Sequence, residues 1–301
     1  MTDVGQPLRA ALARRFDLPV LQPADVARAR DGTRKLLFAL ASGAAIESVV
    51  LPEPPRLTAC ISSQAGCAMG CQFCATAGLG LQHNLSAGEI AGQVVAVQRL
   101  LDPDERLTNV VFMGMGEPLH NYDAVREAIE ILTAAWGLGL SGRRITVSTV
   151  GLLPQLERLA RETPVNVAVS LTATTDALRT RLMPVNRRYP LRELIATCRA
   201  LPIAQRRRIT FEYVLLAGVN DAAADARRLV ALLHGIRAKI NLIPFNPFPA
   251  SPFTPPAPAA VRQFQEHLLA AGINASVRAT RGGDIQAACG QLAATRRHTL
   301  A

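Results

Sequence analysis

The chain has 301 residues, 49% of them hydrophobic, which suffices for one large core, and no apolar run reaches the roughly 20 residues that cross a bilayer as a helix. Its formal charge is +10 at pH 7, and all but two of the 33 Lys and Arg residues are arginine, the exceptions being Lys35 and Lys239. A helical membrane protein is excluded, and guanidinium forks in such excess suit a phosphate-rich partner.

The opening Met1-Thr2-Asp3-Val4-Gly5-Gln6 carries no apolar core of a secretory signal, so a cytoplasmic chain with reduced thiols is expected. Residues 1–30 hold a short periodic stretch (Leu8, Leu12, Phe16) followed by Pro23, which predicts a small helical segment. Two strand-like runs, Arg34 to Leu40 and Ala45 to Leu51, flank Ser42-Gly43 and predict a β-hairpin extension over 31–56. A core over 57–292 and a tail over 293–301 complete the expected organisation.

The core begins with a strand from Leu57 to Ser62, and a helix from Ser86 to Leu101 opens on the capping box Ser86-Ala87-Gly88-Glu89. Further strands are expected at Asn109 to Met113, Arg144 to Ser148, Val165 to Leu171, Arg208 to Leu215 and Lys239 to Ile243. Helical patterns alternate with them at Tyr122 to Trp136, Leu153 to Arg161, Leu191 to Leu201, Asp221 to Leu233 and Ala259 to Ala271. Six β-then-α units predict an α/β fold, a partial (β/α)6 barrel whose reactive face lies at the C-terminal ends of its strands. The proline-rich run Pro244 to Pro258 reads as part of its mouth.

Cys67, Cys71 and Cys74, spaced C-x3-C-x2-C, follow the first of these strands. A 4Fe-4S cluster is ordinarily held by four thiolates, so three with no fourth nearby predict a cluster with one iron open to a non-protein ligand. A Cys3His zinc site using His83 is the competing reading from spacing. Gly114-Met115-Gly116-Glu117-Pro118 follows the next strand and offers close backbone approach and a carboxylate for an ammonium group, although a plain turn has the same composition. Ser148-Thr149-Val150-Gly151, Ser170-Leu171-Thr172 and Asn246 stand at later strand ends, where polar residues mark a ligand-lined mouth. Cys198, flanked by Leu194, Ile195 and Leu201, reads as a buried structural thiol; Arg187-Arg188 and Arg206-Arg207-Arg208 read as solvated faces. His120, His234, His267 and His298 carry no expected chemistry.

The cysteine loop and Gly116-Glu117-Pro118 together resemble the radical S-adenosylmethionine superfamily. Cys60-Ile61-Ser62-Ser63-Gln64-Ala65-Gly66-Cys67, Met113 to Leu119, Asn241 to Phe248 and Arg281 to Leu292 resemble its RlmN/Cfr group of RNA adenine methyltransferases, and the likeness runs from about Asp31 to Leu292. The resemblance implies that Cys67, Cys71 and Cys74 hold one 4Fe-4S cluster and that Gly116, Glu117, Ser148, Ser170, Leu171, Thr172 and Asn246 surround S-adenosylmethionine, used twice per turnover. It also implies that Cys289 is methylated and then delivers the carbon to adenine after hydrogen abstraction. Cys60 would release the resulting adduct by forming a disulfide, and Glu47 would take the ring proton.

The implied reaction is methylation of C2 of adenosine in large-subunit rRNA, tRNA or both, with C8 or a non-RNA substrate as alternatives. Expected partners are RNA and an external electron donor such as flavodoxin or ferredoxin, with no membrane and a monomeric chain. The sequence departs from the group in Thr172, where histidine is usual, in the Ala77-Gly78-Leu79-Gly80 loop, and in a shortened stretch before Cys60.

Overall fold

The computed structural model describes residues 5–15, 21–204, 207–249 and 251–294. Phe16, Arg206, His298, Met1 to Val4 and residues 295–301 of the expected tail lie outside the described residues. A helix α1 (Gln6–Arg15) precedes β1 (Pro23–Arg28), β2 (Arg34–Ala39), β3 (Ala45–Glu53) and β4 (Arg56–Cys60), which pair antiparallel in sequence order. The extension is thus larger than one hairpin. Pro23 opens a strand instead of ending a helical segment, because a sheet-edge position leaves its missing N–H without consequence.

From β4 onward the sheet turns parallel through β7 (Asn109–Phe112), β8 (Ile145–Thr149), β9 (Asn166–Ser170), β10 (Ile209–Leu215), β11 (Ala238–Pro244) and β12 (Asn274–Val277). Ten strands form one open sheet, and a separate two-stranded ribbon, β5 (Gln64–Gly66) with β6 (Leu81–Asn84), folds beside the cysteine loop. Runs such as Val167-Ala168-Val169 and Leu242-Ile243 are buried on both faces, as parallel strands beneath helices require.

The helices are α2 (Ala87–Arg99), α3 (Tyr122–Thr133), α4 (Leu153–Glu162), α5 (Asp176–Leu182), α6 (Leu191–Ala200), α7 (Ala223–Leu233) and α8 (Pro258–Ala270). Each turns an apolar stripe inward; on α3 this is Val125, Ala128, Ile129 and Leu132, and burying a residue of the Val or Leu kind contributes about 1.5–3 kcal/mol. The α2 start is fixed as expected, with Ser86 Oγ accepting from Glu89 N and the Glu89 side chain accepting from Ser86 N.

Helix α3 ends three residues before Trp136, which is 74% exposed. The chain doubles back there, with Leu138 N donating to Ile131 O and Leu140 N to Leu132 O. The fold is therefore a partial (β/α)6 barrel with a seventh parallel strand, and β12 leads straight into the segment that bears Cys289. No helix among the described residues is long and apolar enough to cross a membrane.

Candidate active site

The strand C-termini open into a cleft of about 970 Å³. Cys67, Cys71, Cys74, Gly116, Glu117, Ser148, Ser170, Asn246 and Cys289 all line it, although they come from six separate stretches of chain. A neighbouring cavity of about 480 Å³ holds Cys60 on one wall, and Cys289 belongs to both spaces. Two sulfurs 229 positions apart thus face one cavity, and all six cysteines are free thiols.

Backbone geometry shapes the cysteine loop. Gly66 has φ +73°, and a Cβ there would stand 1.8 Å from Gly80 O, so the two ends of the loop close as only glycine allows. Gln72 N donates to Leu182 O and Ala75 N to Gly290 O, which pins the loop between α5 and the Cys289 segment. Burial pushes the Cys67 thiol up to about 12, and the thiol of Cys71 is also raised, by burial and by neighbouring thiols. Thiols so placed ionise only when positive charge is brought to them.

Gly116 has φ +97°, and a Cβ there would lie 2.5 Å from Gln64 Cβ, so the loop presses flat against the start of β5. That contact aims Glu117, whose Oε1 accepts from Thr149 Oγ1 at 2.6 Å and Leu119 N at 3.0 Å, and whose Oε2 accepts from Val150 N at 2.8 Å. Burial nevertheless raises its carboxyl to about 7. Asn246 donates from Nδ2 to Cys289 O at 3.1 Å and accepts from Thr280 Oγ1 at 2.8 Å, joining the mouth to the reactive segment. Phe245 meets the rings of Phe248 and Phe253 edge-on at about 6 Å and so stiffens the proline-rich mouth.

Three expected residues sit differently. Leu171 and Thr172 are wholly buried behind the wall of the cleft, Thr172 with φ +55° and its carbonyl accepting from Asn220 Nδ2. Glu47 is 2% exposed; it pairs with Lys35 Nζ at 2.9 Å, and its Oε2 accepts from Ala293 N and Ala294 N, each at 3.0 Å. It shares a strand face with Val49 and Leu51, which line the smaller cavity, and it fastens the segment just beyond Leu292.

The radical SAM superfamily model matches residues 61–230. The dual-specificity RNA methyltransferase RlmN of Syntrophobacter fumaroxidans is 54% identical over 293 residues, covering 97% of this chain and 86% of its relative. The RlmN of Geobacter sulfurreducens is 52% identical over 97% of this chain and 80% of its own length. A crystal structure of a radical SAM methyltransferase from Sphaerobacter thermophilus superposes with a TM-score of 0.93 at 49% identity, over 98% of this chain and 87% of the other. The chain belongs to the RlmN family of the radical SAM superfamily.

Membership brings a 4Fe-4S cluster and S-adenosylmethionine, and the residues present fit both. Three unpaired thiols share one wall of the cleft, and no group of three His, Cys, Asp or Glu side chains among the described residues is gathered to hold a single ion. His83, the fourth ligand of the zinc reading, instead faces Glu89 Oε2 at 3.4 Å. Beside the thiols, the Gly116-Glu117 loop gives a carboxylate within the same cleft.

Two site residues escaped the reading of the sequence. Glu212, mid-strand on β10, lines the large cleft and accepts from Ser148 Oγ at 2.7 Å. Arg278, just beyond β12, lines the smaller cavity with Cys60 and Cys289 and favours the ionised form of both thiols, against a burial that pushes them up to about 12 and about 11. An isolated Glu in a strand or Arg after one has no motif; only the closed fold turns them inward.

Proposed function

We propose that this chain is a radical S-adenosylmethionine RNA methyltransferase that methylates C2 of adenosine in large-subunit rRNA, tRNA or both. The observation that carries the reading is Cys289 in the wall between two cavities, with the three-cysteine loop and Glu117 along one and Cys60 in the other. Near-full-length similarity to RlmN enzymes supports the substrate class.

Cys67, Cys71 and Cys74 would hold the cluster, while Gly116, Glu117, Ser148, Ser170 and Asn246 would hold S-adenosylmethionine, with Leu171 and Thr172 supporting that wall from behind. Bound together, these groups supply a methyl group and the radical that activates it, a route that adenine C2 needs because its carbon is not nucleophilic. The chain's own part is to place nucleophiles. Cys289 accepts the methyl group on sulfur, and Arg278 favours the thiolate that this displacement requires.

Once that carbon is bonded to adenine C2, the radical adduct gives up its ring proton and one electron, the electron being taken back by the cluster that Cys67, Cys71 and Cys74 would hold. Cys60, on the facing wall, then attacks Cys289 sulfur; the S–S bond forms as the S–C bond breaks, and the carbon leaves with the electron pair and takes up a proton to become the product methyl group. Glu47 is assigned the ring proton; its present partners, Lys35 and two backbone amides, must exchange for the base before it can do so. An unstacked or loop adenosine fits a cleft inside a barrel better than one within a continuous helix. The chain is further proposed to act as a cytoplasmic monomer, with flavodoxin or ferredoxin as electron donor.

The test is anaerobic reconstitution with total RNA, a strong reductant and S-adenosylmethionine, followed by digestion and mass analysis against 2-methyladenosine and 8-methyladenosine. The 2-methyl product is expected. The 8-methyl product would reassign the regiochemistry, and no methylated adenosine at all would refute the RNA reading.

A further inference from the structure

Glu212 has no assigned role in the chemistry above. It is 5% exposed, it turns into the large cleft, and its Oε2 is held by Ser148 Oγ across the intervening strand β9. Its Oε1 has no hydrogen-bond partner among the described residues. Buried carboxylate oxygens are ordinarily met by donors, so one left over in a ligand-sized cleft is an acceptor whose donor the described residues do not supply. Arg278 feels its charge, but that guanidinium reaches Met113 Sδ at 3.7 Å and lines the other cavity.

The surroundings narrow the donor. Glu212 is in register with Ser170, which lines the same cleft, so the wall presents a carboxylate beside serines on the next two strands, β9 and β8, while Val214, Ile243 and Phe245 make the adjoining surface apolar. That arrangement suits neighbouring hydroxyl groups beside a hydrophobic ring system. A carboxylate accepting from a ribose hydroxyl is a recurring way of holding adenosine cofactors.

We propose that Glu212 binds a ribose hydroxyl of S-adenosylmethionine, with Ser148 fixing the orientation of the carboxylate. The proposal rests on the cofactor assigned above. The target adenosine carries the same ribose hydroxyls, but Glu212 lines the cleft of the three cysteines and not the cavity of Cys60, which favours the cofactor as the source.

The test uses cluster-loaded protein and calorimetric titration with S-adenosylhomocysteine and its 2′-deoxy and 3′-deoxy forms, on wild type and Glu212→Gln. Circular dichroism and iron content control for folding, and the near-isosteric Glu212→Gln is compared with Ser148→Ala, which leaves the carboxylate in place. Wild type should lose about 10- to 100-fold in affinity on removal of one hydroxyl, the range of a hydrogen bond to a charged group, and Glu212→Gln should bind the parent compound equally weakly without distinguishing that deoxy form.

Equal affinity of wild type and Glu212→Gln would overturn the proposal. So would unchanged S-adenosylhomocysteine binding accompanied by loss of discrimination against RNA with a 2′-deoxy target, which assigns the carboxylate to the substrate. Failure of wild type itself to bind S-adenosylhomocysteine would instead refute the function proposed above, and this inference with it.

Discussion

At the scale of single residues, the two cavity thiols have separable tasks. Cys289→Ala should abolish methyl transfer and leave no protein-bound RNA, whereas Cys60→Ala should methylate once and accumulate a crosslink visible as a shifted band on a denaturing gel. Normal turnover by Cys60→Ala would remove its resolving role. Glu117 offers a test through protons. Burial raises its carboxyl to about 7 from the usual 4.5, so the folded chain keeps a proton that the unfolded chain releases. The stabilising contribution of that proton is full below pH 4.5 and is lost as pH rises to about 7. In metal-free protein, Glu117→Gln should flatten this part of the stability curve, so that its Tm relative to wild type climbs by several degrees, as an order of magnitude, between pH 4.5 and 7.5. Parallel Tm profiles would contradict the shift. The three cysteines of the loop were legible from sequence because their spacing encodes a geometry, whereas the Gly116-Glu117 loop reads by itself as a plain turn and stood out only through the family resemblance. Glu212 and Arg278 were not, since a charged residue in or after a strand declares its direction only when the sheet is closed around it.

At the scale of elements, the sequence reads best where a strand or helix carries its own signal. The capping box at Ser86 is one such signal, and Ser86→Ala should cost about 1 kcal/mol, seen as a fall of roughly 2 °C in Tm without change in cofactor binding. An unchanged Tm would mean that tertiary packing alone fixes the start of α2. Strands β7 to β11 were found because apolar, β-branched runs mark them. β12 was missed because Asn274-Ala275-Ser276-Val277 buries only Ala275 and lies at the sheet edge. β1 was missed for a similar reason, since it lies at the other sheet edge and none of its residues is buried. Helix α5 spans only seven residues, of which two are arginines, so its period is too short to read; Arg179 points wholly inward, donating to Asn186 Oδ1 and to the carbonyls of Val150 and Ser170.

At the scale of the whole molecule, the antiparallel extension and the Cys289 segment hold each other. Asp31 Oδ2 accepts from Gly282 N, Arg30 N donates to Asp284 Oδ2, Lys35 Nζ reaches Gln286 O, and Glu47 receives the amides of Ala293 and Ala294. Thr76 Oγ1 donates to Leu292 O at 2.6 Å, so the cysteine loop takes part as well. Glu47→Ala should therefore speed hydrogen exchange at Ala293 and Ala294 by at least about tenfold, measured by mass spectrometry, because each amide loses a charge-assisted partner. Unaltered exchange would limit Glu47 to chemistry alone. No periodic pattern announces these contacts, which join positions about 250 apart in the chain and exist only in the finished fold.

The position of Cys289 in a partition has one more consequence. A side chain set in a dividing wall can serve both rooms by turning about its own Cα–Cβ bond, without any movement of the backbone. The donor on one side and the acceptor on the other then never have to change seats: the sulfur is the courier, and its journey is one rotation long.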